Sequence, residues 1–133
     1  MLDPNTKILI VEDFKTMRKM VRRILKQLGF ENVTEADDGA TALPIIKEEA
    51  QKGQSFQLVI SDWNMPQMHG IELLRTCKSD EALKEIPFIM LTAEGESKNV
   101  EEAAALGALG YVKKPFTPEE LKAVIEKAPP LAA

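Results

Sequence analysis

The chain has 133 residues, 44% hydrophobic and 29% charged, with 17 Lys plus Arg against 21 Asp plus Glu for a formal net charge of -4. That length favours one domain around one core, expected over residues 5–129, and the acidic balance leaves no cationic surplus for a nucleic-acid surface. The longest apolar runs fall far short of the roughly 20 residues of a membrane helix. The first six residues lack the basic and apolar regions of a signal peptide, and the lone Cys77 and lone His69 rule out an internal disulfide or a Cys/His zinc site. The expectation is a cytoplasmic monomer that engages neither nucleic acid nor membrane.

Short apolar runs alternate with helical patterns along the whole chain, the signature of parallel βαβ units rather than hairpins. The first run, residues 7–11, predicts a strand. Met17, Val21, Ile24, Leu25 and Leu28 then recur at three- and four-residue steps, predicting a helix that stops at Gly29. Arg18, Lys19, Arg22, Arg23 and Lys26 make its other face a basic stripe, read as a solvated surface. A second strand is expected at 32–35. The second helix, over 40–50, carries Pro44, and an interior proline costs about 3 kcal/mol. The helix is therefore expected to start late, with Thr41 as its cap, or to kink. Strands follow at 57–60, 88–91 and 111–113. Three of the five runs are nearly all apolar, as central strands covered on both faces should be. Cys77 fits a small core residue on the third helix. The last helix opens with Thr117-Pro118-Glu119-Glu120, where Thr caps, Pro fits the first turn and Glu120 can close a capping box. Leu121, Val124 and Ile125 would face the core.

In open parallel sheets ligands sit beyond the carboxyl ends of the strands, where the strand order reverses. The residues after each run therefore carry the most information: Glu12-Asp13 after the first, Ser61-Asp62 after the third, Thr92 after the fourth and Lys114-Pro115 after the fifth. Two carboxylates about 4 Å apart repel by about 4 kcal/mol at an effective dielectric near 20. A hard divalent cation with oxygen ligands relieves that repulsion, and Mg²⁺ suits a site with few carboxylates and several retained waters. The same constellation suits phosphoryl transfer. Asp62 is the candidate nucleophile, forming an acyl phosphate. Asp13 and Glu12 would hold Mg²⁺, Lys114 would pair with the phosphoryl group, and the Thr92 hydroxyl would donate to one of its oxygens. Lys113 and Lys114 point to opposite faces of a continuing strand, so only one can reach the site. Lys114 is chosen because it precedes Pro115, where a cis bond would aim its side chain.

Four ordered pieces, Ile-Val-Glu-Asp (10–13), Ser-Asp-Trp-Asn-Met-Pro (61–66), Leu-Thr-Ala (91–93) and Lys-Pro-Phe-Thr (114–117), make the chain resemble the receiver domains of two-component response regulators over residues 7–128. Residues 12–18, 26–33 and Trp63 resemble the single-domain chemotaxis members most. The resemblance implies a flavodoxin-like, doubly wound α/β fold, with five helices and a five-stranded parallel sheet of order 2-1-3-4-5. It implies phosphorylation of Asp62 by a CheA-type histidine kinase, with Mg²⁺ held by Asp13, Asp62 and the Asn64 carbonyl and with Glu12 nearby. Thr92 and Tyr111 would form the switch. An output surface including Val100, Ala104, Ala108, Tyr111 and Leu121 would bind the flagellar motor switch protein FliM, and a dedicated phosphatase would be a further partner. Such a protein is not an enzyme beyond accepting and losing its own phosphoryl group.

Several positions depart from the family pattern. Glu12 replaces the usual aspartate, His69 stands where an aspartate is common, and Gly95 replaces a residue with a side chain. The positions of Asn64 and Glu94 are those that tune acyl-phosphate lifetime in the family. The alternative within the family is a phosphate sink, or a regulator of another pathway. A phosphatase of the haloacid-dehalogenase type would want Asp-x-Asp after the first strand, where Glu12-Asp13-Phe14 stands. A mononucleotide binder would want a Gly- and hydroxyl-rich loop there.

Overall fold

The computed structural model describes residues 4–63, 69–92, 97–114 and 116–127, the side chains of 97–100 excepted. Five βα units follow one another: β1 (Ile8–Val11), α1 (Lys15–Gln27), β2 (Val33–Ala36), α2 (Gly39–Gln51), β3 (Leu58–Asp62), α3 (Gly70–Lys78), β4 (Phe88–Thr92), α4 (Ser97–Ala105), β5 (Gly110–Lys113) and α5 (Pro118–Ile125). The strands form one parallel sheet in the expected order β2-β1-β3-β4-β5. All residues of β1, β3 and β4 are buried, whereas β2 and β5 at the edges are only partly covered. That is why three of the five runs read as continuously apolar: helices cover both of their faces.

Alternation along the strands divides the core in two. Ile8, Ile10, Leu58, Ile60, Ile89 and Leu91 pack with Val21, Ile24 and Leu25 of α1 and with Leu121 and Ile125 of α5. Leu9, Val11, Val59, Phe88 and Met90 pack with Ala42 and Ile46 of α2, with Leu73, Leu74 and Cys77 of α3 and with Ala103 of α4. The sheet is thus covered by two helices on one side and three on the other.

Helix ends follow local chemistry. α1 gives way after Leu28 to Gly29, whose φ of +98° lies in the left-handed region that a side chain disfavours. α5 carries the complete capping box: the Glu120 amide donates to Thr117 Oγ1 and the Thr117 amide donates to Glu120 Oε1, each at 3.1 Å. The expected late start of α2 is corrected. Asp38, not Thr41, is its cap: the Asp38 carboxylate accepts from the Thr41 amide at 2.8 Å, so the helix begins at Gly39 and Pro44 lies inside it. Pro44 leaves the Ala40 carbonyl without its usual donor, but both residues are exposed, so water can take that place. None of the described helices is long and apolar enough to cross a membrane.

Candidate functional site

β1 pairs with β2 on one side and with β3 on the other, so the chain order reverses beside β1. The register makes the strand ends level there: Val11 lies opposite Ser61, Asp62 opposite Leu91, and Thr92 opposite Lys113. Glu12 and Asp13 follow directly on β1, while Asp62 is the last residue of β3. One oxygen from each of these three side chains lies within 4.8 Å of the others.

Glu12 is completely buried, Asp62 and Thr92 are 5% and 2% exposed, and Asp13 is half-buried. A buried carboxylate needs a cation or several donors. Lys114 supplies one ammonium for two acids: its Nζ is 2.8 Å from Glu12 Oε1 and 2.8 Å from Asp62 Oδ1. Burial alone would lower the Lys114 pKa, but the carboxylates of Asp62 and Glu12 outweigh it and hold the ammonium above its ordinary range. The Trp63 amide also donates to Asp62 Oδ1, at 2.9 Å, and the Phe14 amide donates to Glu12 Oε2, at 3.2 Å. Among the described residues, Asp13 is left over. Its Oδ1 is buried without a hydrogen-bond partner, and its pKa is raised, first by burial and then by the adjoining Glu12. An orphaned carboxylate oxygen beside two further carboxylates is the donor set of a hard divalent cation, so these residues fit Mg²⁺.

The strands thus bring Glu12, Asp13, Asp62, Thr92 and Lys114 to one rim of the sheet. Lys113, the alternative lysine, is exposed. His69 is an exposed residue at the N-cap of α3. The expectations for Asn64, Glu94, Gly95 and the Pro115 peptide bond fall outside the described residues, as does the Val100 side chain.

A second feature lies beyond α4. Ala103, Ala104, Ala108, Leu109, Gly110, Tyr111, Val124 and Lys127 line a cavity of about 270 Å³ between α4, β5 and α5. Tyr111 is 42% exposed at this cavity. The inclusion of Leu121 in the output surface is corrected: it is fully buried, because the face of α5 that carries it together with Ile125 packs on the sheet. Val124, one turn along, and Lys127 contribute to the cavity instead.

Two residues of the site escaped the reading of the sequence. Arg18 belongs to the stripe read as solvated, yet it is half-buried and its Nη1 donates to the Glu12 carbonyl at 2.7 Å. Its signal was position: one turn into α1, it sits within reach of the residues preceding that helix. Gly70 opens α3 so close to β3 that a Cβ there would stand 2.1 Å from the Asp62 carbonyl oxygen. A glycine at the first position of a helix whose approach follows an acidic strand end was the available hint.

Residues 8–126 match the family model described as the response regulator receiver domain. The chain is 51% identical over 126 residues to the chemotaxis protein CheY-3 of Vibrio cholerae, covering 95% of this chain and 93% of that protein. It is 50% identical over 121 residues to the chemotaxis protein CheY of Pseudomonas aeruginosa, covering 91% and 94%. The high-resolution structure of the chemotaxis response regulator CheY4 of Vibrio cholerae superposes with a TM-score of 0.79 at 37% identity, covering 94% of this chain and 99% of that one. CheY is itself a standard example of the rule that ligands sit at the reversal point of such sheets. With its acids gathered at that point and the match running through all five βα units, the chain belongs to the response regulator receiver domain family.

Proposed function

We propose that this receiver is a chemotaxis-type response regulator whose Asp62 accepts a phosphoryl group from a CheA-type histidine kinase in the cytoplasm. The observation that carries the reading is the unequal charge of the rim: among the described residues, three carboxylates gather at the Lys114 ammonium, which pairs with two of them, and the third keeps an orphaned oxygen. Glu12, Asp13 and Asp62 would hold Mg²⁺, with the Asn64 carbonyl as a further ligand. Bound there, the cation would neutralise the carboxylates and the phosphoryl oxygens. The chain's own residues do the rest. An Asp62 carboxylate oxygen attacks the phosphorus, the bond from phosphorus to the donor's imidazole nitrogen breaks, and that nitrogen keeps the electron pair. The Trp63 amide and Lys114 fix the carboxylate from the Oδ1 side. After transfer, Lys114 pairs with the phosphoryl group and the Thr92 hydroxyl donates to it. The reaction is one self-modification per chain rather than turnover of an external substrate.

Output follows from differential interaction. A phosphoryl group at Asp62 favours one arrangement of Thr92 and Tyr111 over another, and only that difference moves the equilibrium. The face between α4 and α5, with Ala104, Ala108 and Tyr111, would then bind the flagellar motor switch protein FliM, and a phosphatase would reset the signal. The test is incubation with Mg²⁺ and a small acyl-phosphate donor, followed by intact mass and Trp63 fluorescence. One added phosphate, absent in Asp62→Asn, is expected; sustained turnover of donor without label would sink the reading. Tighter binding of a motor-switch peptide to the labelled chain is expected, and equal binding would mark a phosphate sink instead.

A further inference from the structure

The loop bearing Glu12 and Asp13 has to hold two like charges at a fixed separation, and backbone contacts from α1 bear on it directly. Arg18 Nη1 donates to the Glu12 carbonyl at 2.7 Å and to the Asp13 carbonyl at 3.4 Å, while Nε donates to Glu35 Oε1 of β2 at 3.2 Å. The other Glu35 oxygen is taken at 2.7 Å by Arg22, one turn further along α1. Arg18 is half-buried and Glu35 is partly covered, so the guanidinium is held at both ends. Its planar fork lets one group face two directions at once, which a lysine ammonium on a flexible stem does not reproduce.

We infer that Arg18, aimed by Glu35, is a positioning residue that sets the Mg²⁺ affinity of the carboxylates on the β1 loop. The inference rests on the reading of the rim as a Mg²⁺ site. Nothing in it requires Arg18 to touch the cation or the phosphoryl group. The guanidinium fixes the two carbonyls, and through them the backbone from which the Glu12 and Asp13 side chains depart. Groups that orient metal ligands in this way commonly change affinity by about 10- to 100-fold when removed.

The sign of the effect separates positioning from charge. As a plain cation near the rim, Arg18 repels Mg²⁺, and its removal would tighten binding. As a clamp it orders the ligands, and its removal weakens binding. Mg²⁺ titrations by Trp63 fluorescence and by calorimetry would compare wild type with Arg18→Ala, Arg18→Lys, Glu35→Gln and the exposed Arg23→Ala on the same helix. Weakening of about tenfold is expected for Arg18→Ala, nearly as much for Arg18→Lys, and a smaller loss for Glu35→Gln. Arg23→Ala should stay within about twofold of wild type. The rate of labelling by acyl phosphate should fall in Arg18→Ala at low Mg²⁺ and recover at saturating Mg²⁺. Unchanged or tighter Mg²⁺ binding in both Arg18 variants overturns the inference, as does a labelling defect that saturating Mg²⁺ leaves in place. Should Arg18→Ala fail to fold, as read by circular dichroism, Arg18→Lys and Glu35→Gln decide it. A wild-type chain that binds no Mg²⁺ overturns this inference and the reading of the site together.

Discussion

The two ends of the sheet handle charge in opposite ways. At the amino ends of the strands, Lys7 is paired with Glu49, donates to the Gln54 carbonyl at 2.7 Å and lies 4.8 Å from the centre of the Phe56 ring, while its amide donates to Gln57 Oε1 at 2.7 Å. Lys7 and Glu49 thus each have an opposite charge there. Among the described residues at the carboxyl ends, one ammonium serves two buried acids, and a third acid keeps an unpartnered oxygen. The amino end also has a polar cavity of about 500 Å³ lined by Asn5, Lys7, Asn32, Thr34, Glu49, Gln54, Ser55 and Gln57. A self-satisfied cluster staples the fold, and an unsatisfied one awaits something from outside.

Four experiments press on this contrast. The largest effect is expected from Asp62→Asn, which should abolish labelling by an acyl-phosphate donor while leaving circular dichroism unchanged; residual label by intact mass would place the acceptor elsewhere. Next is Gly70→Ala. The new methyl would stand 2.1 Å from the Asp62 carbonyl oxygen and 2.9 Å from the Met90 methyl, so backbone has to move. A loss of about 1–3 kcal/mol in urea unfolding is expected, with slower labelling, because the displaced strand end carries Asp62, the proposed acceptor.

Removing charge from the two ends should have opposite signs. Asp13→Asn relieves repulsion from Glu12 and is expected to raise the stability of the Mg²⁺-free chain by about 1 kcal/mol. Lys7→Ala breaks a satisfied cluster and should lower the melting temperature. Saturating Mg²⁺ should raise the melting temperature of wild type, the stability gained being about 2.7 kcal/mol at a hundredfold excess over Kd, and should do far less for Asp13→Asn. Equal responses of the two chains would erase the distinction between the rims.

The smallest effect concerns a group in neither rim. Cys77 is fully buried in the core, and burial pushes its thiol up to about 11 from an ordinary value of 9.0. Below pH 9 the thiol is protonated in both folded and unfolded chains and contributes no pH dependence. Between pH 9 and about 11 the unfolded chain releases a proton that the folded chain retains, so stability falls as pH rises through that window. Urea midpoints of wild type and Cys77→Ala across that range should diverge in slope. At pH 8 the folded thiol should resist alkylation that proceeds readily in urea.

The legible part of the molecule was whatever repeats or pairs over short range. The three continuous apolar runs became the central strands, the steps of α1 and its stop at Gly29 follow from helical period and the left-handed turn, and the box at Thr117 is chemistry within four residues. Glu12, Asp13, Asp62, Thr92 and Lys114 were recoverable because each directly follows or closes a strand. α2 was misjudged at its start because two local preferences compete: the proline favours a late start, and an Asp38 side chain that reaches the Thr41 amide favours an early one. Arg18 was hidden for another reason. Its partners Glu12 and Glu35 are adjacent only through the pairing of β1 with β2, which a helical wheel does not show.

The bond from Lys114 to Glu12 joins residues 102 positions apart. A nascent polypeptide emerging from the ribosome carries Glu12, Asp13 and Asp62, from the ends of β1 and β3, long before it carries the Lys114 ammonium that pairs with two of them. The rim therefore gains this compensation only when β5 has joined the sheet, and a chain stopped short of that strand presents Glu12 and Asp62 without Lys114.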